Sequence, residues 1–203
     1  MEASSNHRSG QGSAWRIVSF VLIVLLFSVA ALVTRYRLSP KHFQIVEPGR
    51  LYRSASLPTD ELADVVELHG IRTVVNLRSE LENEKGDWHT REAATLQQAG
   101  VALIDLPMHT GHPPDFESLQ GWLDVLADEE AAPILVHCEY GVVRTSIMVS
   151  IFKMERHGEG AQEAWEEFEL FGGELDEPIR SRLETYLLGY RSQRPDLRAR
   201  AAP

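Results

Sequence analysis

His137-Cys138-Glu139-Tyr140-Gly141-Val142-Val143-Arg144-Thr145-Ser146 decides how this chain is read. It holds the only cysteine of 203 residues, with an arginine six positions later. A lone cysteine forms no internal disulfide, so its value is more chemical than structural. The preceding Ala131-Ala132-Pro133-Ile134-Leu135-Val136-His137 reads as a short buried strand, and Arg144 to Arg156 as a helix. Between them lies a tight loop, turned by Gly141, whose successive N–H groups make a nest for an anion. Arg144 offers a planar fork of donors suited to two phosphate oxygens. A cation at a helix N-terminus is unfavourable unless an anion is present, so its position implies one. A helix start and a nearby cation both lower a thiol's pKa, which makes Cys138 a nucleophile. Thr145 can donate its hydroxyl to the sulfur. The bland alternative, an inert buried thiol, leaves Gly141 and Arg144 needing separate explanations.

His-Cys-x5-Arg-Thr on a strand, loop and helix resembles the signature of the cysteine-dependent protein tyrosine phosphatases, in particular their compact dual-specificity branch. Upstream, Gly70-Ile71-Arg72-Thr73-Val74-Val75-Asn76-Leu77-Arg78, Glu92-Ala93-Ala94, Gly100-Val101 and Leu106-Pro107-Met108 resemble successive segments of the same group. The resemblance covers residues 47–191. It implies a phosphate-binding loop of Glu139, Tyr140, Gly141, Val142, Val143 and Arg144, supported by His137 and Thr145, with neither metal nor cofactor. Val143 and Ser146 depart from related bacterial sequences, which often have Asp and Gly there.

Phosphate monoester cleavage also needs a proton delivered to the leaving oxygen. In the family that acid lies some three dozen positions or fewer before the cysteine. Asp105 fits by spacing, although Val101 to Leu106 reads as a strand and the family's acid normally follows the strand. Asp115 lies in the next loop, just before a helix over Phe116 to Leu126, where an N-cap is its natural role. His109 and His112 are further candidates, and the sequence leaves the acid unassigned.

The rest of the chain is organised around the motif. Ile71 to Leu77, Val101 to Leu106 and Pro133 to His137 are aliphatic or β-branched runs, separated by helical patterns at Asp60 to His69 and Asp87 to Gln98. This alternation predicts an α/β fold with a mainly parallel central sheet flanked by helices, of the phosphotyrosine phosphatase type. Leu51-Tyr52-Arg53-Ser54-Ala55 reads as an added edge strand. Ile147, Met148, Ile151 and Phe152 give the helix after the loop an apolar face. Helices are further expected over Gly160 to Phe171 and Glu177 to Tyr190, and 191–203 reads as a polar, frayed tail.

Ile17 to Val33 is an uninterrupted uncharged run dominated by Val, Leu, Ile and Phe, flanked by Trp15-Arg16 and Arg35-Tyr36-Arg37. It reads as one transmembrane helix over 16–34, after a polar tail at 1–15 and before a tether at 35–46. A secretory signal peptide, with Ser28-Val29-Ala30 as a cleavage triplet, is the rival. The expectation is a single-pass membrane protein whose catalytic domain, 47–191, faces the cytoplasm; the alternative is export after signal cleavage.

Thirty acidic residues against twenty basic ones give a formal charge of −10, which disfavours nucleic-acid partners. Arg144 is the only cation in the phosphate loop. Family members acting on inositol phosphates commonly add basic residues there, so a phosphorylated protein is the favoured substrate. The expected reaction is attack by Cys138 on phosphorus, with a phosphocysteine then hydrolysed by water. Two alternatives stay open: a phosphoinositide or inositol phosphate phosphatase, and a catalytically weak phosphate-binding scaffold.

Overall fold

In the computed structural model of the protein, which describes residues 15–16, 18–24, 41–172 and 174–201, strand β5 (Ile134–Cys138) runs up the middle of a five-stranded sheet. The other strands are β1 (Gln44–Glu47), β2 (Leu51–Ala55), β3 (Thr73–Asn76) and β4 (Ala102–Asp105), in the order β1-β2-β5-β3-β4. Only β1 is antiparallel to its neighbour. The mainly parallel sheet is as expected, but β2 is not an edge. It pairs with β5 along its whole length, from Leu51 opposite Ile134 to Ala55 opposite Cys138, and β1 forms the edge. The polar Arg53 and Ser54 disguise a fully buried strand.

Side-chain alternation along the strands sorts the molecule into two layers. Leu51, Val75, Ile134, Val136 and Cys138 face one side, covered by α4 (Phe116–Ala127), α5 (Val143–Arg156), α6 (Ala161–Phe171) and α7 (Glu177–Gly189). Tyr52, Val74 and Leu135 face the other, covered by α1 (Thr59–His69) and α3 (Trp88–Ala99). A single turn, α2 (Glu80–Asn83), sits in the β3–α3 connection. Helix α5 is buried nearly all round rather than on one face, because the helices surround it. Its Met148 carbonyl accepts a 3.0 Å hydrogen bond from Trp122 Nε1 of α4, which satisfies the indole N–H inside the core.

The segment after Tyr190 is not frayed. It forms α8 (Pro195–Ala201), with Leu197 in the core, and is tied to α5 by one buried carboxylate. Glu155 of α5 accepts from Tyr190 Oη (2.6 Å), Ser192 Oγ (2.7 Å), and the backbone N–H groups of Gln193 (2.7 Å) and Arg194 (2.9 Å). Burial alone would raise the Glu155 pKa, but these donors hold it below the ordinary carboxylate value. Sequence periodicity cannot show such a tie, since it rests on one charge meeting four donors from a non-periodic stretch.

Residues 1–39 and 40–203 are separate units. The transmembrane expectation is corrected: among the described residues no helix is long and apolar enough to cross a membrane. Residues 17 and 25–34 of the expected span lie outside the described residues. A single-pass membrane location is therefore not carried forward.

Replacing Glu155 by Ala leaves Tyr190 Oη without its acceptor inside the core and releases the chain that follows it. The expected loss is about 2–3 kcal/mol in denaturant unfolding, with new protease cleavage near 190–194. Wild-type stability and an unchanged digestion pattern would contradict the tie.

Candidate active site

Cys138 ends β5, and the chain turns through Glu139 to Val142 before entering α5. Gly141 has φ +67, a left-handed conformation, and a Cβ there would lie 2.5 Å from the Ser54 carbonyl. Only glycine fits both conditions, so the turn expected from sequence has a steric reason as well. The loop is moored to β2, where Ser56 N–H donates to Glu139 O at 3.3 Å.

The sulfur lies in the buried layer with Arg144 and Thr145 against it. Burial alone would push the Cys138 thiol up. The Thr145 hydroxyl, the Arg144 charge and the backbone N–H groups of Thr145 and Tyr140 outweigh it, and the pKa falls below the ordinary thiol value. The Thr145 hydroxyl is buried beside the sulfur and favours its thiolate form.

Arg144 does not hang free. Its Nη1 donates to Glu82 Oε2 (2.6 Å) and to the carbonyls of Met108 (3.2 Å) and Leu77 (3.3 Å); its Nη2 donates to Glu82 Oε1 (2.9 Å). Both outer nitrogens are thus held, and the guanidinium charge acts on the Cys138 sulfur. Burial works against the guanidinium charge, and Glu82 with Cys138 restores it. Glu82 is itself fixed by Ser79, whose N–H and Oγ donate to Glu82 Oε2 at 2.9 and 2.6 Å. Burial would raise its pKa, but Arg144 and Ser79 hold it at about 2. Sequence reading missed Glu82. The available signal, Ser79-x-x-Glu82, is also that of an ordinary capping box.

The carboxylates proposed as proton donors sit elsewhere. Asp105 shares its sheet face with Leu103, opposite the face that carries Cys138. There it meets His89 Nε2 at 3.0 Å and accepts from Asn76 Nδ2 at 2.7 Å. Asp115 caps α4 by accepting from Ser118 N–H at 2.8 Å. His137 is on the Asp105 side too, buried with Nε2 3.3 Å from Glu92 Oε1. His109 directly follows Met108, whose carbonyl contacts Arg144, while the Gly111 carbonyl accepts from Arg182 Nη1 of α7 at 3.1 Å.

Because Glu82 titrates at about 2 in the fold and near 4.5 when free, the stability it contributes is complete above pH 4.5 and is lost as pH falls through about 2. Glu82→Gln should therefore unfold earlier than wild type at neutral pH, with the gap closing over that acid window. A constant gap in thermal midpoint from pH 7 to 2 would contradict the assignment.

The chain matches the family described as DSP-PTPase phosphatase fused to NAD+ kinase over residues 30–177. It is 29% identical over 157 residues to the dual specificity protein phosphatase TpbA of Pseudomonas aeruginosa, covering 77% of this chain and 62% of that protein, so it spans less than two thirds of that curated relative. The crystal structure of P. aeruginosa TpbA superposes with a TM-score of 0.55 at 29% identity, over 81% of this chain and 99% of that one. A TpbA variant in complex with pTyr gives 0.54 at 26% identity, over 81% and 98%. The core catalytic domain of the PP-IP phosphatase SIW14 from S. cerevisiae shares the fold, with a TM-score of 0.59 at 20% identity over 73% of this chain and 87% of that one. With the match covering most of the chain, the protein belongs to this DSP-PTPase family and so to the cysteine-dependent protein tyrosine phosphatase superfamily.

Proposed function

We propose that the chain is a phosphomonoesterase acting on phosphorylated protein, phosphotyrosine foremost, through a phosphocysteine intermediate. The observation that carries this reading is the pairing of a low-pKa thiol with a charged arginine across one strand-to-helix loop. The thiolate of Cys138 attacks phosphorus. The P–S bond forms as the bond to the leaving oxygen breaks, and the loop N–H groups and Arg144 stabilise the charge on the equatorial oxygens. Water then attacks the phosphocysteine, releasing inorganic phosphate and regenerating the thiolate. Support for a phosphotyrosyl substrate comes from the TpbA variant in complex with pTyr and from the loop's own side chains, which include Glu139 and no lysine.

Asp105, held by His89 and Asn76 on the far face of the sheet, is not the proton donor in this reading, and Asp115 serves α4. The 109–112 loop, which follows the Met108 carbonyl that Arg144 contacts, carries His109 and His112 as the remaining candidates. Hydrolysis of an aryl phosphate and a phosphotyrosyl peptide, beside soluble inositol phosphates and phosphoinositide vesicles, tests the whole. Cys138→Ser should lose more than about 1,000-fold in kcat. Asp105→Asn should lose less than about tenfold, below the ~10²–10⁴ that a general acid contributes. Equal rates for wild type and Cys138→Ser would sink the nucleophile, and faster turnover of the inositol substrates would overturn the protein-phosphatase reading.

A further inference from the structure

Arg53 is the second buried cation beside the catalytic loop. It lies on β2, facing the same layer as Cys138, and is 3% exposed. Its Nη2 donates to Gly141 O and to Ser146 Oγ, each at 2.8 Å, and its guanidinium packs 5.2 Å from the ring centre of Phe171. One nitrogen therefore bridges the crest of the loop and the first turn of α5. Ser146 supplies one of the two acceptors.

We propose that Arg53 is a positioning residue for the phosphate loop: it clasps Gly141 and Ser146, and so aims the Gly141–Val142 peptide while placing a positive charge behind the Cys138 thiolate. The first effect follows from peptide geometry. In a planar trans peptide the carbonyl and the next N–H point in opposite directions. With the Gly141 carbonyl drawn to Arg53 beneath the loop, the Val142 N–H is turned to the other side, where the phosphoryl oxygens bind. Gly141 can adopt this orientation because it sits at φ +67, and it cannot drift toward β2 because Ser54 and Ala55 backbone atoms occupy that space.

The second effect is electrostatic. Arg144 of α5 and Arg53 of β2 both act on Cys138 through their charge, and Glu139 is its neighbour in the loop. Glu82 of the α2 turn sits behind Arg144, and Glu167 of α6 acts on Arg53. His137 and Glu92 lie on the opposite face of the sheet. Burial lowers the Arg53 pKa, and the Cys138 and Glu167 charges pull it back, so cation and thiolate support one another.

This inference rests on the phosphatase reading for its purpose but is tested without turnover. The pH dependence of Cys138 alkylation by iodoacetamide reads the thiolate, and inorganic phosphate binding by calorimetry reads the cradle. Arg53→Met should move the alkylation profile up by about one pH unit, a roughly tenfold loss of rate on its acid side, and weaken phosphate about tenfold. Arg53→Lys should recover the alkylation profile but not phosphate affinity, since a point charge cannot reproduce the bridge. Ser146→Gly should weaken phosphate with the profile nearly unmoved. Should Arg53→Met fail to fold, the Lys and Gly variants decide: wild-type phosphate affinity in both overturns the proposal. So does a folded Arg53→Met with wild-type profile and affinity. A wild-type protein that binds phosphate and responds to these substitutions but hydrolyses nothing would defeat the phosphatase reading and leave the positioning role standing.

Discussion

Arg144 carries a full charge inside the protein because Glu82 meets both of its outer nitrogens, and the geometry of the loop depends on that pair. A buried guanidinium without a partner is several kcal/mol unfavourable, while a bidentate carboxylate fixes both its charge and its plane. The partner arrives from the turn after β3, and carbonyls from Leu77 and Met108 complete the shell. Two connections at the C-terminal end of the sheet thus converge on a side chain of a third, where ligand sites in open α/β sheets generally lie. With the outer edge occupied, Arg144 is left to act on the sulfur and on whatever anion the loop holds.

The same end of the sheet separates two sets of groups by strand parity. Cys138, with the Arg144 side of the loop, belongs to the layer filled by α4 to α7; His137, Asn76 and Asp105 belong to the layer of α1 and α3. Neighbouring residues on β5 therefore serve different surroundings. His137 is paired with Glu92 and stabilises the strand end, and Cys138 meets the loop. Asp105 is near the site in sequence register yet turned to its back.

What was legible in the sequence was local. Cys138, Gly141, Arg144 and Thr145 lie within one short stretch, and their spacing alone implies a strand, a turn and a helix that bind an anion. Glu82 and Arg53 were not legible because each reaches the loop through the fold, 62 and 88 positions away from the groups they hold. Glu82 hides in a capping pattern, and Arg53 in a strand whose polar residues suggested an edge. Asp105 fitted by distance along the chain, a measure blind to which face of a strand a side chain takes. The tail after Tyr190 looked unstructured because its anchor is a single glutamate on another helix. The apolar run near the N-terminus was read from hydropathy and its aromatic and basic flanks, and among the described residues no helix is long and apolar enough to cross a membrane.

The proposed reaction requires that Cys138 itself becomes phosphorylated during turnover. Rapid acid quench of the protein with an aryl phosphate, followed by mass spectrometry of the Cys138 peptide, measures this directly. A phosphoryl group is expected on Cys138 in the pre-steady state and should disappear as substrate is exhausted. Hydrolysis that proceeds with Cys138 never modified, or with the adduct on another residue, would contradict it.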